Sequence, residues 1–131
     1  MDLQAVGTDV ERVIATEEQL ASRIAEALAR TASLLRDDAD ALDQMADAAS
    51  QGHDLASLDI SHLASLPKAV RTRVIRRAIY AQGAPSGSIS ADHVSAVEAL
   101  VTSWHGQGEV SLPGGVKVAR ISGRLSLYAR T

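Results

Sequence analysis

The residues best suited to bind a ligand form a cationic cluster, which consists of Lys68, Arg71, Arg73, Arg76 and Arg77. These five basic side chains fall within ten residues, and no acidic residue lies among them. A guanidinium group binds phosphate through paired hydrogen bonds, and the neighbouring Tyr80 has a ring that can stack on a base. The cluster therefore indicates either contact with a nucleic acid or ion pairing with an acidic element of the same chain.

The net charge of −3 hides a division of charge between the two halves of the chain. Residues 1–66 carry 13 acidic and 4 basic side chains, whereas residues 67–131 carry 3 acidic and 9 basic ones. The acidic half contains an aspartate run on a predicted helix, formed by Asp37, Asp38, Asp40, Asp43 and Asp47. We interpret this run as a solvated face or as the ion-pairing partner of the cationic cluster, because a magnesium site would need ligands that converge from other segments.

The sequence contains no motif typical of an enzyme active site. Cysteine is absent, which excludes disulfides, thiolate zinc sites and cysteine nucleophiles. The Gly106-Gln107-Gly108 segment follows a predicted helix and leads into a predicted strand, the wrong order for a pyrophosphate-binding loop. The histidines do not have the spacing of a metal site; they are His53, His62, His93 and His105. We predict no catalytic residue, no cofactor and no metal in this chain.

Hydrophobic periodicity predicts three helices. The first covers residues 9–50, with a break expected near Ala15 because Thr16 is suited to begin a new helix as an N-cap. The second begins after Pro67, at residue 68, and ends before Gly83. The third is capped by Ser90 and reaches about residue 104.

Alternating residues after the third helix predict a small antiparallel meander. Its three strands lie at residues 109–112, 116–121 and 124–128, and Leu58-Asp59-Ile60 alternates like a small strand or an extended segment. The predicted fold class is α+β, with a long N-terminal helix, two further helices and then a three-stranded antiparallel meander. Residues 1–20 are expected to be an arm or short helix, and residues 21–131 the functional domain.

Composition predicts an aliphatic core, since aromatic residues make up 2% of the chain and phenylalanine is absent. Trp104, at the end of an apolar helix, is expected to lie in this core. No run of about 18 apolar residues occurs, and the first residues lack the basic and apolar regions of a signal peptide. We expect a cytoplasmic protein that does not associate with a membrane.

Three segments resemble parts of the tRNA(Ile)-lysidine synthase family in consistent order. Residues 92–120, which include Gly106-Gln107-Gly108 and Leu112-Pro113-Gly114-Gly115, are similar to the region after that family's catalytic domain. Residues 28–42 resemble its long helix in an actinobacterial form, and residues 66–77 resemble its basic helix. The resemblance covers about residues 25 to 128.

The resemblance implies a role in tRNA modification. Members of this family use ATP to activate the wobble cytidine of an isoleucine tRNA and join lysine to it, in an N-terminal PP-loop catalytic domain marked by an S-G-G-x-D-S loop. That loop is absent here, so the resemblance implies the substrate-binding domain, with tRNA(Ile) and the PP-loop catalytic domain as partners. ATP and Mg²⁺ would bind that catalytic domain and not this chain.

The basic side chains of the second half are the expected RNA-binding residues, because cations on phosphates hold RNA. They are Lys68, Arg71, Arg73, Arg76, Arg77, Lys117, Arg120 and Arg124. The alternative is a non-catalytic helical interaction module. Under this alternative the charges of the acidic and basic helices neutralise each other, and the long helix pairs with a second chain to form a homodimer.

Overall fold

The structure is a computed structural model that describes residues 3–130, with side chains described from residue 6 onward. It divides into two compact units, of which the first ends at Asp40 and the second begins at Ala41. One helix, α1 (Leu3–Ser50), supplies the described part of the first unit and the start of the second. In the described residues no helix is both long enough and apolar enough to span a membrane.

The break expected near Ala15 is wrong, because α1 continues through this region. The Thr16 hydroxyl donates a hydrogen bond to the carbonyl oxygen of Arg12, one turn earlier (2.8 Å). A threonine inside a helix can form this hydrogen bond to the preceding turn, so Thr16 does not require that a new helix begin there. The predicted domain boundary at residue 20 stays a prediction, and residues 1 and 2 of the predicted arm lie outside the described residues.

In the first unit, α1 carries an apolar stripe that is exposed to solvent. Val10, Val13, Leu20, Ile24 and Leu28 recur at helical spacing and are each 52–65% exposed. Helix propensity therefore contributes more to this part of α1 than burial within the unit does.

The second unit combines the end of α1 with three further helices and one sheet. In chain order the elements are β1 (Ser57–Asp59), α2 (Ile60–Ser65), α3 (Lys68–Ala81), α4 (Ala91–Thr102), β2 (Val110–Ser111), β3 (Val116–Ile121) and β4 (Arg124–Ala129). A short 3₁₀ turn, Pro113–Gly115, joins β2 to β3. All strand pairs are antiparallel, and the order across the sheet is β1-β4-β3-β2.

The α+β class with a long N-terminal helix is confirmed, but the predicted count of three strands is wrong. The fourth strand, β1, pairs with β4 so that Leu58 lies opposite Leu125. The small strand or extended segment expected at Leu58-Asp59-Ile60 is a strand at Leu58 and Asp59, whereas Ile60 already begins α2. Three residues are too few to show that such a segment joins the sheet. The short helix α2 was also not predicted.

The core of the second unit is aliphatic, as predicted. Leu58, Leu63, Ile75, Leu100 and Leu125 are fully buried between the helices and one face of the sheet. The expectation that Trp104 lies in this core is wrong, because its side chain is 41% exposed.

Local signals at the predicted caps and turns are confirmed. The Ser90 hydroxyl accepts a hydrogen bond from the His93 backbone N–H (3.2 Å), and His93 Nδ1 accepts one from the Ser90 N–H (2.9 Å). Ser122 and Gly123 both have positive φ, 53° and 74°, as a two-residue turn between right-twisted strands requires.

Candidate nucleic-acid interface

Helix α3 displays the cationic cluster because its opposite side is buried. Val70, Val74, Ile75, Ala78 and Ile79 occupy the buried side. Arg73, Arg76 and Arg77 therefore project from the rest of the helix circumference, whereas Arg71 falls on the buried side. α3 therefore has a buried apolar side and a more exposed side that carries three of its four arginines. The contacts of the individual arginines differ, however, and these contacts decide which of them can reach a ligand.

Arg73 and Arg77 form ion pairs with the part of the aspartate run that belongs to the second unit. Arg73 Nε lies 3.2 Å from Asp43 Oδ1, and Arg77 contacts the carboxylates of both Asp43 and Asp47. Arg77 Nη2 also donates to the Asp43 carbonyl oxygen (3.1 Å). The arginine side chains remain about one third exposed, at 31% and 32%. Exposed ion pairs contribute little to stability, so a phosphate can compete with these carboxylates.

Arg71 lies inside the second unit and not on its surface. Its Nε donates to Glu98 Oε2 at 3.0 Å, and its Nη1 donates to the Leu66 carbonyl oxygen at 2.8 Å. The two charged side chains are only 11% and 12% exposed. This arginine therefore joins α3 to α4 and to the end of α2.

Arg76 and Lys68 complete the cluster. Arg76 donates to the Ile89 carbonyl oxygen and, with Asp43, Thr72 and Arg73, lines an open groove of about 390 Å³. Lys68 is exposed in the first turn of α3, and its ammonium group has no hydrogen bond or ion pair within the described residues. The groove and Lys68 are the parts of the cluster that are most accessible to an anion.

The cations of the meander lie on two different faces of the sheet. Lys117 and Arg124 alternate with buried residues and occupy the outer face, where Lys117 Nζ donates to Ser111 Oγ (2.6 Å) and Arg124 donates twice to Ser57. Arg120 has the same parity as the buried Val118 and reaches the end of α4.

Arg120 contacts both α4 and the exposed tryptophan. Its Nη1 donates to the Leu100 carbonyl oxygen at 3.0 Å, and its guanidinium carbon lies 5.2 Å from the centre of the Trp104 ring. This distance is typical of a cation–π contact. Trp104 is therefore a surface aromatic residue beside a cation, which sequence reasoning missed because a tryptophan after an apolar helix is usually buried.

The eight predicted RNA-binding residues do not form one continuous set. Three of them, Arg73, Arg76 and Arg77, lie together on α3, and Lys68 lies at the start of this helix. Lys117 and Arg124 lie on the outer face of the sheet, and Arg120 contacts the end of α4. Arg71 lies inside the second unit. The exposed Arg130 was not predicted. Arg130 continues the alternation that places Arg124 and Tyr128 on the outer face, and this alternation would have indicated Arg130 as a further surface cation.

Tyr128 and Glu109 form a hydrogen bond next to Lys117 on this outer face. The phenol donates to the carboxylate. This bond lowers the pKa of Glu109, and it raises the pKa of Tyr128, with the Glu109 charge adding to the second effect. The bond is present at neutral pH. It is lost as the pH falls through the lowered pKa of Glu109 or rises through the raised pKa of Tyr128.

In a Tyr80→Phe background, Tyr128 should therefore ionise above the ordinary tyrosine pKa of about 10. A further Glu109→Ala change should move the midpoint down, because it removes both the acceptor and the negative charge. The measurement is the ultraviolet absorbance of tyrosinate during an alkaline titration. Equal midpoints in the two proteins would show that the hydrogen bond does not persist in solution.

The described residues offer no group of three or more His, Asp or Glu side chains placed to hold a metal ion. His53 and His62 stack with ring centres 3.9 Å apart, and His62 Nε2 hydrogen-bonds with the Ala49 carbonyl oxygen. These contacts fasten the end of α1 to α2.

Comparison with known proteins identifies the second unit. The family model of the TilS substrate binding domain matches residues 58–126, from β1 to β4. The tRNA(Ile)-lysidine synthase of Thermobifida fusca is 49% identical over 121 residues, which cover 91% of this chain and 37% of that protein. The tRNA(Ile)-lysidine synthase of Streptomyces coelicolor is 48% identical over 117 residues, which cover 88% of this chain and 33% of that protein.

This chain spans roughly a third of the length of these two curated relatives. The resemblance found in the sequence is confirmed. The model match includes α3, α4 and the sheet, and so it includes every element that carries the predicted RNA-binding residues. The chain belongs to the TilS substrate-binding domain family.

Proposed function

We propose that this chain binds tRNA(Ile) as the accessory domain of a tRNA(Ile)-lysidine synthase. A PP-loop catalytic domain, which this sequence does not contain, would use ATP to attach lysine to the wobble cytidine. The observation that carries the proposal is the family-model match over residues 58–126. The names of the similar proteins support it.

The chain itself would hold the tRNA and not perform the chemistry. Its sequence has no glycine-rich phosphate loop, and the described residues have no carboxylate or histidine cluster suited to Mg²⁺. We therefore assign ATP and Mg²⁺ to the catalytic domain, and we assign no step of the reaction to a residue of this chain.

We assign phosphate contacts to the exposed cations and a structural role to Arg71. Lys68, Arg73, Arg76 and Arg77 present donors along one side of α3, and Lys117 and Arg124 present donors on the outer sheet face. We leave Arg71 out of this set because its side chain is only 11% exposed beside Glu98. Asp43 and Asp47 then act as competitors that a tRNA phosphate displaces from Arg73 and Arg77.

The combined change of Arg73, Arg76 and Arg77 to alanine should weaken binding of tRNA(Ile) and flatten its salt dependence. Each lost phosphate contact lowers the slope of log affinity against log salt by about one. The measurement is filter binding at several salt concentrations. The matched control changes Arg23, Arg30 and Arg36 to alanine, which removes the same charge from exposed positions of α1 and should leave the slope close to that of the parent chain.

The reverse change makes the test sharper. Replacing Asp43 and Asp47 with asparagine frees Arg73 and Arg77, so it should strengthen tRNA binding and make the slope steeper. If neither set of variants changes the affinity, this face of α3 does not bind tRNA. If the parent chain itself does not bind tRNA, the proposed function is wrong.

The alternative of a non-catalytic interaction module is not favoured by the family match. Its internal ion pairs are present, but they are compatible with either function. Pairing of α1 with a second chain stays a prediction.

A further inference from the structure

We propose that Trp104, together with Arg120, is a stacking site for one unpaired nucleobase of the bound RNA, an inference that rests on the proposed function. The site lies at the carboxyl end of α4, in the loop that leads to β2. Trp104 is the single tryptophan of the chain, and its side chain is 41% exposed. An aromatic ring that is exposed on the surface does not contribute the stabilisation that its burial would provide.

The side chain of Gln107 joins the loop that carries Trp104 to the end of α4. Gln107 Nε2 donates to the carbonyl oxygens of Ala99 (3.3 Å) and Ser103 (3.2 Å), and Gln107 Oε1 accepts from the His105 backbone N–H (2.8 Å). These bonds satisfy backbone groups at the end of α4 and fix the loop. The ring is therefore exposed on an ordered segment, as a stacking platform needs.

Arg120 supplies a positive charge that no carboxylate of the described residues neutralises. The ion pairs of the described residues involve Arg71, Arg73 and Arg77 but not Arg120. One of its nitrogens, Nη1, is held by the Leu100 carbonyl oxygen. Within the described residues, Nε and Nη2 have no hydrogen-bond partner and can donate to a phosphate.

The two side chains together match the chemistry of a nucleotide with an exposed base. The Arg120 guanidinium lies over one face of the indole and offers donors for the phosphate. The other face of the indole offers a flat apolar surface for the base. A base that is paired and stacked inside a duplex cannot reach the indole, so the site selects single-stranded RNA or the unpaired loops of a tRNA.

Intrinsic fluorescence tests this site directly, because all tryptophan emission comes from Trp104. The full chain is titrated with tRNA(Ile), with a single-stranded oligoribonucleotide and with a duplex RNA of equal length. Stacking should quench the emission with the first two and leave it nearly unchanged with the duplex. Equal quenching by the duplex, or none by any RNA that binds, would overturn the proposal.

Filter binding of variants provides the second readout. Trp104→Leu should weaken tRNA binding by about tenfold, since one base–aromatic stack has roughly that effect on affinity. Trp104→Phe retains a ring and should stay much closer to the parent chain. Circular dichroism checks that both variants fold, and if the leucine variant does not, the fluorescence titration of the parent chain still decides.

The outcomes separate this inference from the function on which it rests. If tRNA binds, its affinity falls in the α3 arginine variant, and Trp104→Leu binds as well as the parent, the stacking site is wrong while the proposed function stands. If the parent chain binds no tRNA at any salt concentration, both are wrong.

Discussion

Replacing Glu98 with alanine should lower the free energy of unfolding by about 3–5 kcal/mol, the usual effect of breaking a buried ion pair. Glu98 is 9% exposed, and its carboxylate accepts a 3.0 Å hydrogen bond from Arg71 Nε. Without the carboxylate, the Arg71 guanidinium has no ion-pair partner within the described residues. Either the Arg71 charge stays buried without a partner, or α3 and α4 separate so that water reaches the guanidinium. Both outcomes lower the free energy of unfolding. Urea unfolding followed by circular dichroism measures the loss.

Two further variants separate charge from packing at this pair. Glu98→Gln keeps an acceptor of similar size and should cost less than Glu98→Ala. The double change of Arg71 to methionine and Glu98 to leucine removes both charges and should recover much of the lost stability, because apolar residues of similar volume often replace a buried pair without loss. A loss below about 1 kcal/mol in Glu98→Ala would show that solvent screens the pair as it screens an exposed one.

Gly114→Ala should cost about 3 kcal/mol, as the sum of backbone strain and overpacking. Gly114 has φ +81°, and a Cβ atom there would lie 2.8 Å from Pro85 Cδ and 3.1 Å from Ala84 Cα. The second of these is a backbone atom, so a side-chain rotation cannot relieve the contact. The substitution therefore pushes the turn between β2 and β3 away from the loop between α3 and α4.

The control for this prediction is Gly106→Ala. Gly106 has a similar φ of +88°, but a Cβ atom there would meet no atom within 4 Å. It should therefore show the backbone cost alone, about 1–2 kcal/mol. Thermal or urea unfolding of the two variants measures the difference, and equal losses would contradict a close approach at Gly114.

Local sequence signals predicted α3, α4 and the turn between β3 and β4 because the causes of these features are local. The buried arc of α3 follows from spacing, the Ser90 cap follows from a side chain that bonds its own helix end, and the Ser122-Gly123 turn follows from backbone φ. The family resemblance was also visible, because the order of its segments is a property of the sequence.

Apart from the break expected near Ala15 and the missed helix α2, the errors concern features that depend on distant parts of the chain. β1 exists because β4 lies beside it, and the three residues of β1 carry no pattern that reveals this partner. The burial of Arg71 depends on Glu98, 27 residues later, so within the cationic cluster it looked equivalent to Arg73. The exposure of Trp104 depends on the position of Arg120 and of the loop that follows α4.

The pairing of β1 with β4 has a consequence for the order in which the domain folds. Arg124 and Ser57, joined by side-chain and backbone hydrogen bonds, lie 67 residues apart. A growing chain has completed all its helices before β4 exists, and until then β1 is an unpaired edge and Leu58 lacks Leu125. Contacts of such long sequence separation form slowly. We therefore expect closure of the sheet to be a late event in folding, one that completes the core around Leu58.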